Sequence, residues 1–152
     1  EELLQRATVV PAVNQIECNP FLYRRETLNY LEKKGIKVQA YRALRDGKAF
    51  DDPTINAVAS KHGATPARVL GAWCVAKGAI YMPKSTKRER MIENANVFQL
   101  AAALDADDFS RLDALTTHAA IAAYKALYEK CVVRDTPLSD DAPGIKRDIT
   151  AG

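Results

Sequence analysis

Twice in this chain a helical repeat stops at a glycine and a short apolar run begins at once. Gly35 leads into Ile36 to Tyr41, and Gly78 leads into Ala79 to Met82. Glycine takes up the left-handed conformation that closes a helix, and a short apolar run behind it reads as a strand. A first strand is expected from Val9 to Glu17, where β-branched residues mix with alternating polar ones, and Asn19-Pro20 breaks it. The order strand, helix, strand, helix, strand, helix specifies α/β architecture with a parallel sheet.

The helices between these runs have their own signals. Arg25 to Lys34 places Leu28 and Leu31 on one side, and Pro53 to Lys61 does the same with Ile55, Val58 and Ala59 before His62-Gly63. Thr65-Pro66 is an N-cap followed by proline at the first helical position, ahead of an apolar face of Val69, Leu70 and Trp73. Trp73 is most simply a core residue, and His62 is a residue favoured near a helix C-terminus. Arg42 to Asp52, with Asp46-Gly47, is a loop. Asp105 should cap Ala106 to Leu115, and a further helical stretch is expected over Ala119 to Cys131 with Ile121, Tyr124 and Tyr128 on one face. Residues 1–132 therefore read as one folded body. Residues 133–152 carry two prolines and alternating charges without a period, and read as a surface or disordered tail.

Composition excludes several classes. At 152 residues the chain is the size of one ordinary domain. No apolar run approaches the roughly 20 residues that cross a bilayer, and the start at Glu1-Glu2 shows no charged-then-apolar leader. A net charge of +3, not drawn into a stripe, is too small to argue for nucleic acid. Cys18, Cys74 and Cys131 are widely spaced, odd in number and without Cys-x-x-Cys or Cys/His pairing. They read as free thiols of a reducing compartment.

Chemistry concentrates in Met82-Pro83-Lys84-Ser85-Thr86-Lys87-Arg88-Glu89-Arg90-Met91-Ile92-Glu93-Asn94. A strand end runs into a Lys-Ser-Thr turn and then a basic helix start. Unpaired N–H groups and partial positive charge at a helix N-terminus favour anions. Lys84, Lys87, Arg88 and Arg90 add full charges, and Ser85 and Thr86 add hydroxyls. This suits a phosphate at the C-terminal end of a strand. A plainer reading stands beside it: Thr86 and Glu89 form a capping box, and the cations are a solvated face. Asn14-Gln15-Ile16-Glu17 sets amides and a carboxylate where a buried strand would be Val/Ile-rich. Gln15 thus either faces a polar ligand or is satisfied by neighbours. Tyr41, at the end of the second strand, either stacks a flat ring or covers the sheet for structural reasons.

Order and spacing together closely resemble the C-terminal part of the aldo-keto reductase family. The resemblance runs from Val10-Pro11-Ala12-Val13-Asn14-Gln15-Ile16-Glu17-Cys18-Asn19-Pro20 through Gly35 to Tyr41 and Lys61 to Leu70, and on to about Thr117. Its most specific stretch is Pro83-Lys84-Ser85 through Ile92-Glu93-Asn94 with Val97-Phe98. It implies a (β/α)₈ barrel, here about three βα units of it, that binds NAD(P)H at the C-terminal mouth. By the same resemblance, Gln15 would hydrogen-bond the nicotinamide carboxamide and Tyr41 would stack on its ring. The loop near Leu44 would follow the pyrophosphate. Lys84, Ser85 or Thr86, and Arg90 would hold the adenosine 2′-phosphate, and Glu93 and Asn94 would meet the adenine. A basic helix start suits a dianionic phosphate, so NADPH is expected over NADH.

Two departures stand out. Tyr41-Arg42-Ala43-Leu44-Arg45-Asp46-Gly47 replaces the family's usual Ser-Pro-Leu-Gly after the aromatic residue. Arg42 and Arg45 either pair with the pyrophosphate or lie on the surface. The stretch from Tyr124 to Cys131 is more helical than the family's C-terminal loop, which makes substrate choice the least transferable inference. The family's catalytic Asp, Tyr, Lys and His all precede the strand that corresponds to Pro11–Glu17, so no catalytic residue is expected in this chain. Three strands leave two open edges and an inner face without an opposite wall. The wall would come from the rest of a longer polypeptide, from an N-terminal half made as a separate chain, or from an unrelated protein. The first is preferred, because the chain begins within an element and without Met. The whole enzyme would act on a small-molecule carbonyl substrate, reducing aldehydes or ketones to alcohols by hydride transfer, and this chain alone would be inactive. The alternative is a non-catalytic scaffold or interaction subunit derived from such an enzyme.

Overall fold

The computed structural model describes residues 2–135. Its elements run α1 (Glu2–Arg6), β1 (Val13–Glu17), α2 (Arg25–Lys33), β2 (Lys37–Tyr41), α3 (Pro53–Lys61), α4 (Pro66–Ala76), β3 (Ile80–Tyr81), α5 (Arg88–Ala95), α6 (Val97–Ala103), α7 (Ala106–Asp113) and α8 (His118–Asp135). The three strands form a parallel sheet in the order β1-β2-β3. The register places Gln15 opposite Gln39, Glu17 opposite Tyr41, and Gln39 opposite Ile80.

Two glycines aim the chain into its strands. Gly35 (φ 73°) and Gly78 (φ 76°) follow the caps of α2 and α4 in the left-handed region. Around each, two hydrogen bonds close the helix: Gly35 N donates to Glu32 O and Ile36 N to Leu31 O, and Gly78 N donates to Val75 O and Ala79 N to Cys74 O. This is the Schellman arrangement, which takes up the carbonyls that the helix end leaves over. Helix starts are equally explicit. Asp52 accepts from Thr54 N and Ile55 N, Thr65 accepts from Arg68 N, and Asp105 forms a reciprocal capping box with Asp108.

Alternation along β2 separates two faces. Val38 and Ala40 are buried against the helices, in one core with Leu28, Leu31, Ile55, Val58, Leu70 and Trp73. Gln39 and Tyr41 point the other way, in line with Gln15 and Glu17 across β1. This second face is uncovered along Gln15 and Lys37, while at its buried Glu17 end Ala120, Ala123 and Tyr124 of α8 close a small pocket with Glu17 and Arg42. The outer edges of β1 and β3 have no strand partner among the described residues. Val9, Val10, Val13, Ile80 and Met82 are exposed around the sheet.

Several boundaries differ from expectation. β1 begins at Val13 rather than Val9, because Pro11 has no N–H to give a ladder and pairing starts where Ala12 O accepts from Lys37 N (3.0 Å). Helices α1 and α6 are additions to the expected elements; α6 is set off from α5 by Asn96, which caps both. The last helix continues through Asp135, past Cys131, since the first proline beyond it is Pro137. The remainder of the expected tail, residues 136–152, lies outside the described residues, as do the side chains of Tyr128 and Cys131.

Candidate functional site

A cavity of about 590 Å³ opens at the C-terminal ends of β2 and β3. Its walls are the loop after β2, the start of α4, and the stretch from Met82 into α5. Topology places it there: in a parallel sheet every strand ends on the same side, and the loops that follow converge. Of the residues expected at a site, Leu44, Lys84, Ser85, Arg90, Glu93 and Asn94 all line this cavity. Gln15, Tyr41 and Thr86 do not line it. Gln15 is exposed on the uncovered face, and its Nε2 and that of Gln39 approach Met82 Sδ at 4.0 and 2.8 Å. Tyr41 closes β2 on the same face, half-buried. Thr86 is exposed in the turn before α5.

The capping box expected of Thr86 and Glu89 is not formed. Helix α5 starts one residue later, with Lys87 as its N-cap and no side chain capping it. Ser85 organises the turn instead, its Oγ accepting from Lys87 N at 3.1 Å. The first turn of α5 therefore keeps its N–H groups clear of any capping side chain, beside Lys84 and Arg90. Among the described residues, neither cation has a carboxylate within ion-pair distance.

Glu93 and Asn94 are held from outside α5. The Glu93 carboxylate accepts a hydrogen bond from the Thr65 hydroxyl, which also caps α4. Asn94 Oδ1 accepts from the Tyr81 hydroxyl at 3.1 Å. Burial raises the Tyr81 pKa well above its ordinary value, so the phenol keeps its proton. Neither contact was legible in sequence, where the partners are 28 and 13 positions apart.

The loop after β2 resolves the two arginines differently. Arg42 lines the cavity with its guanidinium tied down: Nη1 reaches Glu17 Oε2 at 3.2 Å and Nη2 reaches Asp46 Oδ2 at 3.0 Å. Arg45 turns away and stacks over the Phe21 ring, 4.4 Å from its centroid. Arg42, Arg45 and Asp46 all take positive φ, at 50°, 48° and 57°. That is uncommon outside glycine. Burial pushes the Glu17 carboxyl above its ordinary value, and the charge of Arg42 and the amide of Asn19 offset this only in part. Burial also works against the Arg42 charge, yet Glu17 and Asp46 outweigh it and raise its pKa. The Asp46-Gly47 pair marks the loop in sequence, but not the ion pairs that shape it.

The remaining reactive side chains are structural. Cys18 and Cys74 are buried free thiols. Burial pushes Cys18 up to about 12 and Cys74 well above its ordinary value, so neither is a thiolate at neutral pH. Trp73 is fully buried, with Nε1 donating to Asp113 Oδ1 at 2.8 Å. His62 sits at the end of α3 with Nε2 2.7 Å from Asp108 Oδ2.

A model of the Aldo/keto reductase family matches residues 1–117. Among characterised relatives, the glyoxal reductase of Bacillus subtilis is 36% identical over 115 residues, covering 76% of this chain and 41% of the relative. The methylglyoxal reductase DkgB of Escherichia coli O157:H7 is 40% identical over 104 residues, covering 68% and 38%. Two solved structures superpose well. A mutant of Gox0644 in complex with NADPH gives a TM-score of 0.72 at 34% identity, covering 78% of this chain and 43% of that one. MGS-M4, an aldo-keto reductase enzyme from a Medee basin deep-sea metagenome library, gives 0.71 at 27%, covering 76% and 43%. The chain thus spans less than half the length of these proteins, and its three parallel βα units are part of a (β/α)₈ barrel.

Proposed function

The chain belongs to the aldo/keto reductase family, and on that premise we propose that it is the C-terminal, cofactor-binding part of an NADPH-dependent reductase of aldehydes or ketones. The observation that carries the reading is the cavity itself. Six residues expected around one dinucleotide, from two segments 40 positions apart at Leu44 and Lys84, meet on one wall system.

The donor set fits the group it would hold. Lys84 and Arg90 are cations without a carboxylate partner among the described residues, and they flank the uncapped start of α5. They and Ser85 would take the 2′-phosphate, with exposed Thr86 at its margin. Glu93 and Asn94 would take the adenine. The backbone at Leu44 would run along the pyrophosphate, with Arg42 as the nearest cation, partly neutralised by Glu17 and Asp46. The uncovered polar face would receive the nicotinamide, Gln15 through its amide and Tyr41 through its ring. NADPH, when bound, supplies a hydride to a carbonyl carbon.

On this reading the catalytic acid would come from outside this chain. The same holds for the wall opposite Gln15 and Tyr41, and for strands to cover the edges of β1 and β3. The rest of the barrel is the natural occupant of both, whether in one polypeptide or as a second chain. Small carbonyl compounds are the expected substrate class, in keeping with relatives named for glyoxal and methylglyoxal.

Titration of the chain with NADPH and with NADH, followed by the fluorescence of the reduced cofactor, tests the reading. Arg90→Ala should weaken NADPH about tenfold, the order expected for one charge-assisted contact, and leave NADH within twofold. Equal losses for both cofactors overturn the 2′-phosphate assignment. Carbonyl reduction by the chain alone overturns the claim that its acid lies elsewhere.

A further inference from the structure

Tyr81 ends β3 and stands half-buried against helix α4. A Cβ built on Gly71 would lie 2.8 Å from Tyr81 Cζ, 2.9 Å from Tyr81 Cε1 and 2.9 Å from Val97 Cγ1. Those separations are far inside the normal carbon contact distance of about 3.5–4.0 Å. Helix α4 therefore fits the ring only because it has no side chain at position 71. The ring so seated delivers its hydroxyl to Asn94 Oδ1.

That contact decides what Asn94 offers. A carboxamide has an acceptor oxygen and a donor nitrogen on one planar carbon, and rotation exchanges them. With Oδ1 held by Tyr81, the group left to a ligand is Nδ2, which has no protein acceptor among the described residues. Beside it, Glu93 offers only acceptor oxygens, and the Thr65 hydroxyl fixes its carboxylate. The wall thus presents one donor next to one acceptor, each set by a residue from another element.

We infer that Tyr81 is a positioning residue for base recognition: it holds Asn94 as a donor, so that Asn94 and Glu93 together read a purine edge with an acceptor beside an amino group. Adenine has that edge, N7 beside the N6 amino group. Hypoxanthine has an acceptor beside a carbonyl there, and turns its oxygen toward the Glu93 carboxylate. The inference rests on the nucleotide reading of the cavity and adds the residue that sets its base preference.

Calorimetry on the full chain with 2′,5′-ADP and its hypoxanthine counterpart provides the test. The unmodified chain should bind the adenine form more tightly. Tyr81→Phe keeps the ring and removes one hydrogen bond. It should weaken the adenine form about fivefold and leave the hypoxanthine form within twofold, so the preference narrows. In an Asn94→Ala background the same change should have no further effect. Gly71→Ala, which crowds the ring, should also narrow the preference. Adding Tyr81→Val to Gly71→Ala should restore thermal stability without restoring the preference. Equal weakening of both probes by Tyr81→Phe, or an unchanged preference, overturns the positioning role. So does the same narrowing in the Asn94→Ala background. Failure of the unmodified chain to bind either probe overturns the nucleotide reading, and with it this inference, and is distinct from the other outcomes.

Discussion

At the junction of α3 and α7 charged groups face one another; along the stretch from β3 into α5 they face a cavity. In the first region Lys61 Nζ lies 2.7 Å from Asp105 Oδ2 and 2.8 Å from Asp108 Oδ1, and His62 completes the set on Asp108. Nearby, Asp113 gathers Trp73 Nε1 and Lys77 Nζ, both at 2.8 Å, and Arg25 at 3.3 Å. In the second region Lys84 and Arg90 hold no carboxylate among the described residues, and α5 has no capping side chain. Burying a carboxylate is tolerated when its partners are supplied by the fold. Leaving cations unanswered beside open N–H groups has no such structural return, and it suits a ligand that supplies the negative charge.

The contrast predicts that substitutions in the first region change stability and those in the second change binding. Trp73→Ala should have the largest effect, about 3–5 kcal/mol of stability, enough to unfold a marginal domain. Thermal denaturation followed by circular dichroism checks this, and a loss below about 1 kcal/mol would break the comparison. Asp108→Asn comes next, at about 2 kcal/mol, because it removes a buried charged acceptor from Lys61 and His62. Burial pushes the Asp108 carboxyl up, but hydrogen bonds from Lys61, the Asp105 backbone and His62 prevail and bring its pKa from the ordinary 3.8 down to about 2. A depressed carboxylate contributes stability that is complete above its ordinary pKa and is lost as pH falls through the depressed one. Denaturation midpoints of the unmodified chain should therefore drop between about pH 4 and pH 2, and Asp108→Asn should lose that part of the drop. The smallest effect separates two neighbours in the turn before α5. Thr86→Ala should leave both stability and NADPH affinity within experimental error, whereas Ser85→Ala should lower affinity severalfold, since only Ser85 lines the cavity and organises the turn. A larger loss at Thr86 would move the phosphate outward along the turn.

Local signals carried much of the fold. Gly35, Gly78, Thr65-Pro66 and Asp105 act through bonds within a few residues, and each is where short-range reasoning puts it. The capping box at Thr86 failed for the same kind of reason: the residue types matched, but Ser85 claims the turn and moves the helix start. Pairings across the fold left no trace in local pattern. Nothing near Arg42 announces Glu17, 25 residues earlier, and nothing near Tyr81 announces that Gly71 makes its space. The members of the site came from a resemblance in order and spacing. Which of them meet, and which stand on the uncovered face of the sheet, depends on how the strand ends converge.

The three left-handed residues between Arg42 and Asp46 make stability and ligand binding separable in a mutational scan. A side chain in that conformation costs roughly 1–2 kcal/mol, which glycine avoids. A screen for survival on heating should thus favour glycine at 45 and 46 and reject it at 42, where buried Glu17 would lose its cation, while a screen for cofactor retention should be indifferent at 45 and 46. Positions where the two screens disagree mark side chains the molecule keeps for reasons other than its own folding.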